Sequence, residues 1–240
     1  MIEAIHLSKR YPNGTLALDA LNLRVEPGEI YCLLGARGAG KTTVIDLFLG
    51  FTLPTAGRAL IDGIDVAREP LRVKASAAYL GANTAFYGRL TALQNLELLA
   101  RLGGRPDRTR ADCERALREV GLPEPAFEQR VAGFPPGMVR KLGIAAALVK
   151  DAPAILLDEP LSGIDPKTTA EVVELLEALR DDGKSLLITL EDPFWARQLA
   201  DRVGILQEGR QALTRTRDEL RYESLEKLYL EYLRGDSRPG

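Results

Sequence analysis

The chain of 240 residues contains little cysteine and histidine and has no long apolar run. Its two cysteines, Cys32 and Cys113, fall in a predicted core strand and a charged predicted helix, which predicts reduced thiols and no metal cluster. The single histidine, His6, alternates with apolar residues and is predicted to lie on the surface of a strand. Without a membrane-length apolar segment or a signal-peptide pattern, we expect a cytoplasmic protein that meets a membrane only through a partner.

Charge and composition exclude one further class of protein. The formal net charge is −2, so the chain has no basic excess of the kind that binds nucleic acid. Hydrophobic residues make up 45% of the chain and charged residues 28%, which suits one globular unit with a sizeable core.

A phosphate-binding motif is the most informative sequence present. Residues 35–42 match the pattern G-x-x-x-x-G-K-T, after an apolar predicted strand at 30–34 and before a predicted helix at 43–49. The glycines let the backbone direct N–H groups at an anion, the lysine reaches the β- and γ-phosphates, and the threonine hydroxyl holds Mg²⁺. The alternative is a glycine-rich turn that matches by chance. The predicted nucleotide-binding residues are Gly35, Ala36, Arg37, Gly38, Ala39, Gly40, Lys41, Thr42 and Thr43, with Thr42 also a metal ligand.

Strand and helix signals alternate over most of the chain and predict an α/β fold with parallel βαβ units. Three strand signals in 2–34 are separated by Pro12-Asn13-Gly14 and Glu26-Pro27-Gly28, which are typical hairpin turns. Residues 85–152 contain helix signals only, beginning at a predicted capping box, 91–94. The expected fold is a P-loop NTPase core with a mostly parallel sheet, an N-terminal antiparallel β subdomain and an inserted helical subdomain.

A second motif supplies carboxylates. The apolar predicted strand 154–157 ends in Asp158 and Glu159. Asp158 can coordinate Mg²⁺, and Glu159 can orient or deprotonate an attacking water, which makes it the candidate catalytic residue. Acids at strand ends are usually only solvated, but an upstream phosphate loop favours the catalytic interpretation.

With the Ser162-Gly163-Ile164-Asp165 loop that follows, these motifs match in order and spacing those of the ATP-binding cassette (ABC) family of ATPase subunits, which the chain resembles over nearly its whole length. The resemblance implies one ATP-binding domain over 1–240, with the core at 1–84 and 153–212, a helical subdomain at 85–152 and a C-terminal helical tail at 213–240. It also implies ATP and Mg²⁺ as cofactors and the hydrolysis of ATP to ADP and phosphate.

The resemblance further implies two kinds of partner. One is a transmembrane permease, which would hold the subunit at the cytoplasmic face of the membrane. The other is a second nucleotide-binding subunit, identical or different, arranged head to tail. Segments 90–96 and 224–231 look like the class that serves type-2 exporters, although both could be ordinary amphipathic helices.

Three aromatic residues gain a role from the resemblance. Tyr11 stands where family members stack an aromatic ring on adenine, or it simply packs at a strand end. Residues around 82–89 would face the permease, with Phe86 and Tyr87 as anchors or, equally, as core residues.

Three motifs depart from the family pattern. Ala82 stands at the Gln-loop position and cannot coordinate a metal. Pro135 and Pro136 replace the serine and first glycine of the signature motif, although prolines are also at ease at a helix start, and Gly137 remains to offer its N–H to a phosphate. The carboxylate of Glu191 replaces the switch histidine and would repel a phosphate unless it is turned away or paired.

These departures predict MgATP binding with slow hydrolysis by the chain alone. The leading hypothesis is the ATP-hydrolysing subunit of an ABC transporter. The alternatives are a catalytically weak regulatory subunit paired with an intact ABC ATPase, and a soluble family ATPase in translation or DNA repair.

Overall fold

The computed structural model describes residues 1–81 and 84–234, and Ala82 lies outside them. The strands are β1 (Ile2–Arg10), β2 (Leu16–Val25), β3 (Glu29–Leu34), β4 (Ala56–Ile61), β5 (Ile64–Asp65), β6 (Ala77–Gly81), β7 (Ala154–Asp158), β8 (Ser185–Leu190), β9 (Arg202–Gln207) and β10 (Arg210–Thr216). The helices are α1 (Lys41–Phe48), α2 (Pro70–Ser76), α3 (Ala92–Leu102), α4 (Arg110–Glu119), α5 (Glu124–Phe127), α6 (Pro136–Lys150), α7 (Pro166–Asp181), α8 (Pro193–Leu199) and α9 (Leu225–Arg234).

Two sheets organise these elements. The larger has the order β10-β9-β3-β8-β7-β6, and every neighbouring pair is parallel except β9 with β10. The smaller is antiparallel, with the order β2-β1-β4-β5. The predicted α/β class, with a mostly parallel sheet and an N-terminal antiparallel unit, is confirmed.

The second N-terminal turn does something other than predicted. The turn at Pro12-Asn13-Gly14 joins the antiparallel pair β1 and β2, as a hairpin turn should. The turn at Pro27-Gly28 instead carries the chain from the small sheet to β3 of the large sheet, so its interpretation as a hairpin was wrong. A Pro-Gly turn reverses the chain without specifying which strand the next one will pair with.

Strand β3 separates the two hydrophobic cores. Its side chains alternate, with Ile30, Cys32 and Leu34 in a core shared with the helices. Tyr31 and Leu33 belong to a second core between the two sheets and α1. Burial on both faces explains why β3 is apolar from Ile30 onward, as central parallel strands usually are.

The segment between β6 and β7 is helical, as predicted. The capping box is present, since Thr91 Oγ1 accepts from the Gln94 N–H and Gln94 Oε1 accepts from the Thr91 N–H. Helix α6 seats the segment on the sheet at Gly143, where an added Cβ would collide with the Leu80 side chain. The buried faces of α3, α4 and α6 continue the core that covers the large sheet.

Short helices account for most of what the sequence signals did not predict. Helices α2, α5 and α8 have at most seven residues, too few to show a clear apolar period. Over residues 1–81 and 84–234, no helix has both the length and the apolar character needed to cross a bilayer.

Candidate nucleotide site

The candidate site lies at one edge of the large sheet. Strands β3, β8 and β7 are parallel neighbours, so their carboxyl ends meet there. The register pairs Leu34 with Leu190 and Asp158 with Thr189. Residues from three distant parts of the sequence are therefore brought together around the end of β3.

The loop after β3 has the geometry of an anion-binding cradle. Gly38 and Gly40 have left-handed backbones, with φ of 84° and 109°. An added Cβ at Gly40 would lie 2.5 Å from the carbonyl oxygen of Ala17, so no larger residue fits there. Helix α1 then begins at Lys41 without a capping side chain among the described residues, which leaves its first N–H groups to a ligand. The residues present thus fit a phosphate group.

Lys41 extends its ammonium into this cradle and is almost fully buried. It donates to the carbonyl oxygens of Gly35 at 2.6 Å and Ala36 at 3.2 Å. Two carboxylates complete its surroundings, Glu159 Oε1 at 3.2 Å and Glu191 Oε1 at 3.3 Å. Glu191, whose carboxylate was expected to repel a phosphate, is therefore paired with Lys41, the residue that would bind that phosphate.

Asp158 and Glu159 are held by the neighbouring strand. The Thr189 hydroxyl donates to Asp158 Oδ1 at 2.5 Å and accepts from the Glu159 N–H at 3.0 Å. Glu159 leaves the strand with a left-handed backbone, φ 51°, and its carboxylate contacts Lys41. Burial raises the pKa of Glu159 above its ordinary value of 4.5, although Lys41 acts in the opposite direction. A carboxyl with a raised pKa is better suited to accept a proton from water.

An open cleft of about 420 Å³ lies over Lys41, Glu159 and Glu191. Thr42 lies exposed on its wall, and its hydroxyl and the Asp158 carboxylate are oxygen ligands of the kind Mg²⁺ accepts. Within 1–81 and 84–234 no cluster of three or more His, Cys, Asp or Glu residues could hold a metal ion. Mg²⁺ is commonly held by one or two protein oxygens together with phosphates and water, and Thr42 and Asp158 offer oxygens of that kind. The cleft is lined by Thr15, Leu16, Ala17, Arg37, Gly38, Gly40, Lys41, Thr42, Thr43, Glu159, Glu191, Glu208 and Gly209.

Comparison with known proteins assigns the family. A family model described as ABC transporter matches residues 18–162. The chain belongs to the ABC transporter family. It is 38% identical over 219 residues to the daunorubicin resistance ATP-binding protein DrrA3 of Streptomyces coeruleorubidus, covering 90% of this chain and 68% of that protein. It is 33% identical over 212 residues to the bacitracin transport ATP-binding protein BcrA of Enterococcus faecalis, covering 87% of this chain and 67% of that protein.

Solved structures agree with the sequence comparison. An ATP-binding subunit of an ABC transporter superposes with a TM-score of 0.86 at 29% identity, over 97% of this chain and 99% of that one. A dimeric ABC cassette in a post-hydrolysis state, bound to ADP and phosphate, superposes with a TM-score of 0.81 at 25% identity, over 90% and 99%. The chain is accordingly an ATP-binding subunit of the ABC type and a member of a family of ATPases.

Tyr11, one of the residues predicted from the family resemblance, lies at the margin of the site. The Tyr11 hydroxyl is 3.3 Å from Thr43 Oγ1, so the ring lies beside the start of α1, half-buried. The Lys9 ammonium lies 5.1 Å from the centre of that ring. Stacking of Tyr11 on adenine stays a prediction.

Gly137 lies at the start of α6, away from the chain's own phosphate loop. Helix α6 begins at Pro136 with Pro135 as its N-cap, so the interpretation of the prolines as a helix start is confirmed. An added Cβ on Gly137 would lie 2.6 Å from Thr168 Cγ2, so close packing on α7 already requires glycine there. A contact between Gly137 and phosphate would have to be made to a second subunit.

Three residues of the site's surroundings were missed from the sequence. Thr189 positions both acids, and its signal was a hydroxyl near the end of the otherwise apolar run 186–190 of β8. Arg140 on α6 donates to the Gly81 and Ser162 carbonyl oxygens and so connects the helical segment to the loop after Glu159. Tyr229 on α9 is buried, which raises its pKa, and the charges of Glu191 and Glu159 raise it further. Nothing local in the sequence links the tail to this site.

Proposed function

We propose that this ABC subunit drives an exporter, coupling the binding and hydrolysis of MgATP to substrate movement by a separate permease at the cytoplasmic face of the membrane. The observation that carries the proposal is the ion pair between Lys41, which begins α1 after the phosphate loop, and Glu159, which follows Asp158 at the end of β7. The relatives named for daunorubicin resistance and bacitracin transport support an amphipathic, drug-like substrate. They give no support to the regulatory alternative.

Each residue has a defined task in this proposal. The amides of residues 35–43 and the Lys41 ammonium bind the phosphates, with Tyr11 against the adenine. Thr42 and Asp158 would hold Mg²⁺, whose positive charge would stabilise the transferring phosphoryl group. Glu159 accepts the proton of the attacking water, in a position set by Thr189 and by its left-handed backbone.

Turnover by the chain alone should be slow. In the head-to-tail dimer implied by the family, the start of α6 faces the partner's nucleotide, and Pro135 offers neither a hydroxyl nor an N–H there. Loss of one preorganised donor typically lowers a rate by about 10²–10³. A different subunit with an intact signature motif would restore that donor opposite Glu159.

We place the permease contact at an apolar groove between the α/β core and the helical segment. Two adjoining pockets of about 520 and 290 Å³ share Tyr79, Leu102, Gly103 and Lys150. Leu71 and Leu102 on its rim are 80% and 67% exposed, which is unusual for leucine. A short amphipathic helix from a cytoplasmic loop of the permease would cover these side chains.

The two predicted anchors both line the smaller pocket. Phe86 also packs against the core, whereas Tyr87 is exposed. Tyr87 therefore remains the candidate permease contact.

The test compares two lysine substitutions in binding and in transport. K41A should weaken MgATP binding at least about 100-fold by calorimetry, because charge-assisted hydrogen bonds contribute about 1.5–3 kcal/mol each. K227A, an exposed site on α9, should leave binding unchanged. In the native host, K41A should raise intracellular daunorubicin and K227A should not. Unchanged binding in K41A would contradict the nucleotide site, and lost binding with unchanged drug retention would contradict export of this drug class.

A further inference from the structure

The ammonium of Lys41 has more acceptors around it than it has protons. It has three protons to donate. Four oxygen atoms lie within 3.3 Å of it, from the carbonyls of Gly35 and Ala36 and the carboxylates of Glu159 and Glu191. A phosphate can reach Lys41 only by displacing one of them.

Glu191 is the acceptor best able to leave. The carbonyls of Gly35 and Ala36 belong to the loop itself. Glu159 is 22% exposed and its backbone N–H is held by Thr189, whereas the Glu191 side chain is 51% exposed and can rotate into solvent.

The backbone nevertheless keeps Glu191 beside the phosphate loop. It directly follows Leu190, whose carbonyl accepts from the Gly35 N–H at 3.2 Å. It directly precedes Asp192, whose side chain caps α8 through the Phe194 N–H. The carboxylate can turn away, but its charge stays near any phosphate that takes its place.

We propose that Glu191 is a specificity-determining residue that lowers the preference of this site for nucleoside triphosphate over diphosphate. The lysine of such a loop reaches the β- and γ-phosphates, so a triphosphate must expel the Glu191 carboxylate and then lie close to it. A diphosphate brings only its β-phosphate to Lys41, so less negative charge comes to lie beside the Glu191 carboxylate and its displacement costs less. The inference rests on the proposed binding of nucleotide at residues 35–43.

The experiment measures the affinities of MgADP and of the magnesium complex of the β,γ-imido analogue of ATP, which is not hydrolysed. The proteins are wild type, E191Q and E208Q, the last removing an equal charge from another residue lining the same cleft. E191Q should strengthen triphosphate binding at least about fivefold and change diphosphate binding less than about twofold, consistent with an ion pair of about 1 kcal/mol. E208Q should shift both affinities by the same small factor.

The outcomes separate the two proposals. If wild type binds both nucleotides but E191Q leaves their affinity ratio unchanged, or weakens triphosphate binding, the role of Glu191 is refuted and the site stands. A ratio shifted equally by E208Q also refutes it, because the effect would then be one of general charge. If wild type binds neither nucleotide, the proposed function falls as well.

Discussion

The phosphate-loop edge of the large sheet and the start of α6 differ in how much of the family chemistry they retain. The first has a complete loop, two strand-end acids and a threonine that holds both. The second has Pro135 and Pro136 at the helix start, where the family pattern has a serine and a glycine. The groups that bind nucleotide within one subunit are therefore present, while those that would serve a partner subunit's nucleotide are reduced.

This difference separates affinity from rate. Binding depends on contacts within one chain, which the sheet register enforces. Stabilisation of the transition state depends also on donors supplied across a dimer, and the two prolines remove a hydroxyl and two backbone N–H groups there. The predictions below test that separation.

The largest effect is expected from the intact region. E159Q should lower ATP turnover about 10²–10⁴-fold, because an amide cannot accept the proton of the attacking water. Nucleotide affinity should remain within about an order of magnitude, since the substitution leaves the loop amides and Lys41 in place. Phosphate release measured beside calorimetry checks this. An equal loss of affinity and turnover would show that Glu159 acts mainly through Lys41.

The altered region should respond in the opposite direction. The double substitution P135S with P136G should raise turnover of the purified chain, by up to about 10²-fold, by returning a hydroxyl and two amide donors. The matched control, P135A with P136A, returns the amides without the hydroxyl. Initial rates of both variants apportion the gain. No increase in either would mean that copies of this chain do not pair head to tail.

A third substitution tests how tightly α6 packs on β6, and it changes no residue of the phosphate loop or of the start of α6. G143A should lower the free energy of unfolding by about 1–2 kcal/mol. The added methyl group collides with Leu80, and this cost exceeds the gain from the higher helix propensity of alanine. G133A is the control, since an added Cβ there meets no atom within 4 Å. Urea unfolding measures both. Equal stability of the two variants would contradict the tight seating of α6 on β6.

The smallest effect concerns the proton on Glu159. Its folded pKa lies above 4.5, so the folded state holds a proton that the unfolded state has released just above that pH. Wild type should therefore lose stability relative to E159Q as pH rises from 4.5 through the folded pKa, and turnover should decline as pH falls through it. Unfolding curves at several pH values check the sign. Parallel curves for the two proteins would refute it.

Local signals predicted what local chemistry determines. The phosphate loop and the Thr91 capping box each follow from a few adjacent residues. The pairing of Lys41 with Glu191 could not be predicted in this way, because it requires β8 to lie next to β3. Strand order depends on packing of the whole sheet, and the misinterpreted turn at Pro27-Gly28 failed for the same reason.

The burial of β3 on both faces has a consequence for motion. A strand enclosed by two cores exchanges its amide protons only when the whole molecule opens. The phosphate loop directly follows that strand, so we expect nucleotide to bind to a rigid part of the molecule. We expect the motions of a transport cycle in the surrounding helices instead.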